Sequence, residues 1–120
     1  KSPGAFGVMG ASMGGLMALY TAARLPEIFG KVLSQSGAFT MFGYPMVIFD
    51  LLRNAPRLPL KLWLDIGKYD FGGLITANAQ MFTLLQEKGY PFETRTYPAG
   101  HNYTAWRDDL WRGLEYLYAK

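Results

Sequence analysis

The 120-residue chain predicts an α/β fold with about four parallel strands alternating with helices. Two observations lead there. Short apolar runs alternate four times with longer segments of helical periodicity. Such alternation implies parallel strands joined by right-handed crossovers. The second observation is where the chemically suggestive residues fall. Ser12, Asp70 and His101 each lie just past the carboxyl end of a different expected strand, and ligands of such sheets bind outside those ends.

The elements follow in order. Ala5-Phe6-Gly7-Val8-Met9 is short and mostly apolar and reads as a buried strand. After Gly10-Ala11-Ser12-Met13-Gly14-Gly15, residues Leu16 to Leu25 read as a helix stopped by Pro26. Lys31 to Gly37 is a second strand that ends in small polar residues, as if opening onto a cleft. Ala38 to Tyr44, aromatic and glycine-containing, reads as a loop. Pro45 to Asn54 reads as a helix with Pro45 at its start and Met46, Phe49 and Leu52 on one face. Leu60 to Ile66 is a third strand, followed by the loop Gly67 to Gly73. Leu74 to Lys88 carries Ala77, Met81, Leu84 and Leu85 at helical spacing, with Gly89 as its stop. Phe92 to Tyr97 is a fourth strand whose Glu93 and Arg95 suit a sheet edge facing water. After the loop Pro98 to Tyr103, Thr104 to Ala119 forms the last helix. Asp108 and Asp109 are expected in its first turn, solvated and favourable to the helix dipole. No repeat or second domain interrupts the chain, so residues 1–120 read as one domain unit.

Composition narrows the chemistry. Half the residues are hydrophobic, enough for a packed core. The net charge of +3 is scattered, which gives no nucleic-acid footprint. No apolar run reaches the length of a membrane span. With no cysteine, disulfides, thiolate zinc sites and thiol catalysis are excluded, and any redox compartment suits the chain. With one histidine, a multi-histidine metal site is excluded too. No metal and no cofactor is expected.

Gly10-Ala11-Ser12-Met13-Gly14 fits G-x-S-x-G between a strand and a helix, the context in which a serine hydroxyl is pushed out of a sheet on a tight, strained turn. Crowding across that turn calls for glycine at Gly10 and Gly14, and Gly15 lets the helix lie close to the strand. A phosphate-binding loop is the other reading of the glycines. It lacks a Lys-Ser or Lys-Thr after them and any G-x-G-x-x-G. A nucleophilic serine needs a base and an acid that orients the base. His101 is the sole imidazole. Asp70 is the choice for the acid because it lies in a loop past a strand end, and Asp65, inside Leu62-Trp63-Leu64-Asp65-Ile66, is the rival expected to pack or hydrogen-bond structurally.

These residues resemble a family. Gly10 to Gly15, Leu25-Pro26-Glu27-Ile28-Phe29-Gly30, Val32 to Gly37, Leu64 to Asp70 and Gly100 to Arg107 together look like the enterochelin-esterase and feruloyl-esterase branch of the α/β-hydrolases, the esterase D-like group. The order Ser–Asp–His also matches that fold. The resemblance implies Ser12 as nucleophile, His101 as base, Asp70 as acid and the Met13 backbone N–H as one oxyanion donor. Asn102 departs from the family, where Asp often follows the histidine. Some siderophore esterases of this branch work with a weak or absent acid, which bears on Asp70. The family domain has about eight strands, so this chain, with its polar start Lys1-Ser2-Pro3-Gly4, is expected to be the C-terminal half of an α/β-hydrolase domain. The loop that donates the second oxyanion N–H would then lie elsewhere, and the first strand would present an apolar edge.

The function implied is carboxylic-ester hydrolysis through an acyl-serine. Substrates implied by the family are siderophore trilactones, feruloyl or acetyl esters on polysaccharide, and small acyl esters. Phe39, Phe42, Phe71, Tyr103 and Trp106 would either wall an aromatic acyl pocket or serve as core, and core is the expectation for most of them. An acyltransferase differs only in excluding water. The alternative of another class is a non-catalytic half-domain that binds a partner. Association as a homodimer or with an N-terminal half is expected in either case.

Overall fold

The computed structural model describes residues 2–119; Lys1, part of the polar start, lies outside them. After a 3₁₀ turn at Pro3–Ala5 come β1 (Gly7–Ala11), α1 (Met13–Arg24), β2 (Lys31–Gln35), β3 (Thr40–Met41), β4 (Tyr44–Pro45), α2 (Ile48–Asn54), β5 (Lys61–Gly67), α3 (Gly72–Glu87), β6 (Phe92–Tyr97) and α4 (Tyr103–Tyr118).

The sheet has the order β1-β2-β5-β6, and every pairing in it is parallel. Period-two alternation sends neighbouring strand residues to opposite faces. Val32, Leu62 and Leu64 belong to the larger core, with Leu16 and Leu19 of α1, Ile48 and Leu52 of α2, and Met81 and Leu85 of α3. Leu33 and Trp63 turn the other way and meet Leu117 of α4. Three helices thus cover one face and α4 the other. Each fully buried Leu or Ile contributes roughly 1.5–3 kcal/mol relative to exposure. The inner strands β2 and β5 are buried almost throughout, which is why they read as near-continuous apolar runs.

The outer strands differ. Among the described residues β1 pairs with β2 alone, and Phe6, Met9, Met13 and Met17 beside it are exposed. The polar strand β6 closes the other edge. Glu93 is exposed there, but Arg95 does not face open water: its Nε donates to both carboxylate oxygens of Asp109 at 2.8 and 3.0 Å. Asp109 is therefore not a solvated first-turn residue. It is buried, and Arg112 Nε also reaches it, at 3.1 Å.

Two of the shifted boundaries have clear local causes. β1 begins at Gly7 rather than Ala5, because Pro3 starts a 3₁₀ turn that holds Ala5. The segment expected as a loop from Ala38 to Tyr44 contains the hairpin β3–β4, and Pro45 lies in its second strand instead of starting α2. Phe42 (φ 51°) and Gly43 (φ 81°) are both left-handed, as a two-residue hairpin turn requires. No helix among the described residues is long and apolar enough to cross a membrane.

Candidate active site

Ser12 sits alone between β1 and α1 and reverses the chain with φ 58° and ψ −121°. A non-glycine residue held there costs about 1–3 kcal/mol and persists only when its surroundings over-determine it. They do. The Ser12 N–H donates to the Gln35 carbonyl at 2.8 Å, and the Ser12 carbonyl accepts from the N–H groups of Gly15, Leu16 and Ala38. A Cβ at Gly10 would collide with the backbone of Gly14, so the first motif glycine is required by close approach. The second is not required in the same way, since a Cβ at Gly14 itself would meet nothing within 4 Å. The crowding is one-sided. At Gly15 a Cβ would lie 2.7 Å from Ser34 Oγ, which fits a helix pressed against its neighbouring strand.

The loops after β5 and β6 are stitched together. Lys68 N–H donates to the Tyr97 carbonyl at 2.8 Å and Tyr69 N–H to the Ala99 carbonyl at 3.0 Å. This brings Asp70 beside His101, and all three expected residues meet. His101 Nε2 lies 2.9 Å from Ser12 Oγ. His101 Nδ1 lies 3.0 and 3.2 Å from the two Asp70 carboxylate oxygens. Asp70 is buried, and its Oδ1 also accepts the Phe71 N–H at 2.7 Å. Asn102 caps α4 by accepting the Ala105 N–H at 2.8 Å, a role that Asp would fill equally well. A serine hydroxyl, an imidazole and a carboxylate in this line can move a proton off the hydroxyl and keep the resulting imidazolium oriented.

A cavity of about 500 Å³ opens over Ser12 and His101, walled by Thr40, Met41, Phe42, Phe71 and Leu74. Met13 lines it as the first residue of α1; its N–H belongs to the turn that no helical carbonyl reaches, at the positive end of the helix dipole. Of the five aromatics weighed above, Phe42 and Phe71 line this cavity. Phe39 is core and packs edge-on to Phe49. Tyr103 is exposed. Trp106 stands edge-on to the His101 ring, with centroids 4.8 Å apart. Core is thus the fate of Phe39 alone.

Asp65 lies away from this line, as its place inside a strand suggested. It is fully buried and accepts from Trp63 Nε1 at 3.0 Å, Gln35 Nε2 at 3.2 Å and the Tyr97 hydroxyl at 3.3 Å. Burial pushes its carboxyl up from 3.8 to about 6; the bonds from Trp63 and Gln35 oppose that rise and the charge of Asp109 adds to it. Burial also raises the Tyr97 phenol. Because the folded state holds the Asp65 proton more tightly than the unfolded chain, this group's contribution is full below about pH 4. It is lost as pH rises through about 6, a change on the order of 3 kcal/mol. Melting temperatures measured from pH 4 to 8 should therefore fall more steeply in the wild type than in Asp65→Asn. Parallel profiles would rule out this role for Asp65.

A strained serine at a strand–turn–helix junction, facing an imidazole and a carboxylate at the carboxyl ends of parallel strands, has the architecture of the α/β-hydrolases. The chain belongs to the Esterase family ("Putative esterase"), whose model matches residues 1–117. It is 32% identical over 125 residues to an iron(III) enterobactin esterase of Dickeya dadantii, an alignment covering 92% of this chain and 28% of that protein. The enterobactin esterase of Shigella flexneri superposes with a TM-score of 0.87 at 30% identity, over 97% of this chain and 32% of that one. A ferulic acid esterase shares the fold, with a TM-score of 0.83 at 19% identity over 97% of this chain and 51% of that one. The chain spans under a third of the length of the curated relatives it matches.

Proposed function

We propose that this chain carries the reacting residues of a serine carboxylic-ester hydrolase. The observation that carries the reading is the continuous line from Ser12 Oγ through His101 to Asp70, at 2.9 and 3.0 Å. His101 Nε2 takes the hydroxyl proton as Ser12 Oγ bonds to the ester carbonyl carbon. The carbonyl oxygen gains negative charge, and the Met13 N–H donates to it. The tetrahedral centre then collapses, the C–O bond to the alcohol breaks, and His101 returns its proton to the leaving oxygen. A water molecule repeats the sequence on the acyl-serine and frees the acid. Asp70 stays ionised and holds His101 in orientation throughout.

Esters of small aromatic acids suit the cavity best. Two phenyl rings, Phe42 and Phe71, lie on its walls, and among the described residues no Lys, Arg, Asp or Glu lines it. The Shigella flexneri relative was solved in the presence of 2,3-dihydroxy-N-benzoyl-glycine, an aromatic acyl compound.

A tagged fluorophosphonate followed by peptide mapping tests the assignment. The modified peptide should contain Ser12. Modification elsewhere, or none in a preparation that hydrolyses p-nitrophenyl acetate, would remove Ser12 from the reaction.

A further inference from the structure

Behind Asp70 the chemistry of three side chains fixes the direction of every hydrogen. An indole N–H can only donate, so the Ser36 hydroxyl oxygen accepts from Trp106 Nε1, 3.0 Å away. A carboxylate can only accept, so the Ser36 hydrogen goes to Asp70 Oδ2 at 2.7 Å. Asp70 Oδ1 is left for the Phe71 N–H and for His101 Nδ1. His101 must then donate from Nδ1, which leaves Nε2 as a bare acceptor facing Ser12 Oγ.

Both outer members are held in place. Ser36 is fully buried, with the left-handed φ of 50° that non-glycine residues rarely adopt. The Trp106 carbonyl accepts from Gln35 Nε2 at 2.9 Å while its ring stands against His101. The titratable groups around this line are Asp70 from the β5–α3 loop, Asp65 from β5 and Tyr97 from β6. The last two bond to each other and not to His101.

The geometry points to Ser36 and Trp106 as positioning residues: the indole N–H orients the Ser36 hydroxyl, and the hydroxyl locks the Asp70 carboxylate that selects the reactive His101 tautomer. This rests on the reading of Ser12, His101 and Asp70 given above.

The single histidine makes the test direct. Long-range ¹⁵N–¹H spectra of the chain, at a pH where the ring is neutral, should show the Nδ1–H tautomer in the wild type. They should show a mixture in Ser36→Gly and in Trp106→Phe. Glycine suits φ 50° and phenylalanine keeps a ring on His101, so both variants preserve the local backbone and packing. In a preparation that turns over p-nitrophenyl acetate, Ser36→Gly should lower kcat about 10- to 100-fold with KM little changed. Trp106→Phe should cost less, and the double variant should be no worse than Ser36→Gly alone. Ser36→Ala should match Ser36→Gly. Unchanged tautomer populations, losses that multiply, or a defect in Ser36→Ala alone would each overturn the inference. Hydrolysis that survives Ser12→Ala would instead overturn the functional reading, and the tautomer spectra would still decide the positioning role.

Discussion

Ser12→Ala should lower kcat/KM for p-nitrophenyl acetate on the order of 10⁴-fold or more. Neither neighbouring serine can take over. Ser34 and Ser36 are both fully buried, and the Ser36 hydrogen is committed to Asp70. The missing oxygen bonds only to His101 among the described side chains, so the melting temperature should hardly move while activity collapses. A folded variant that keeps more than a tenth of the wild-type rate would sink the assignment.

Nearly as large a loss is expected for His101→Ala, because the serine hydroxyl then keeps its proton. The two residues act as a unit, so Ser12→Ala/His101→Ala should cost little more than either change alone. Asp70→Asn should be milder: it removes the charge that holds the ring but leaves the base in reach of Ser12. Asp65→Asn is the control. Its carboxylate bonds to Trp63, Gln35 and Tyr97 and makes no contact with His101. Kinetics on the four purified variants decide the matter. If Asp65→Asn reduced turnover while Asp70→Asn did not, Asp70 would not be the orienting acid.

The meeting of Ser12, Asp70 and His101 was legible because topology does most of the work. Parallel strands deliver their following loops to one end of the sheet, so three residues past three strand ends need little else to converge. The inner strands were legible for a related reason, since burial on both faces writes an apolar run into the sequence. The β3–β4 hairpin was not. Its turn places Phe42 at a left-handed φ, where Asn, Asp or Gly would have signalled the turn. Asp109 was misread because its partner Arg95 is 14 residues away, on strand β6 rather than on the helix. Ser36 could not be singled out either: a serine at a strand end carries no mark of the tryptophan 70 residues on that donates to it.

The parallel pairing also governs how this sheet can form. Gly7 sits opposite Lys31, 24 positions along, while Lys31 faces Lys61 and Leu62 faces Phe92, each 30 positions along. No ladder of the four-stranded sheet can begin with a tight turn. Every one must close a long loop first, and the entropy of that closure comes before any contact rewards it. Folding should accordingly be slow beside a helical chain of this size, with the apolar runs of β2 and β5 uncovered while the loops close. Collapsed chains at high concentration would find one another's strands in that interval, so dilution and low temperature during refolding should raise the yield more than any change to the reacting residues.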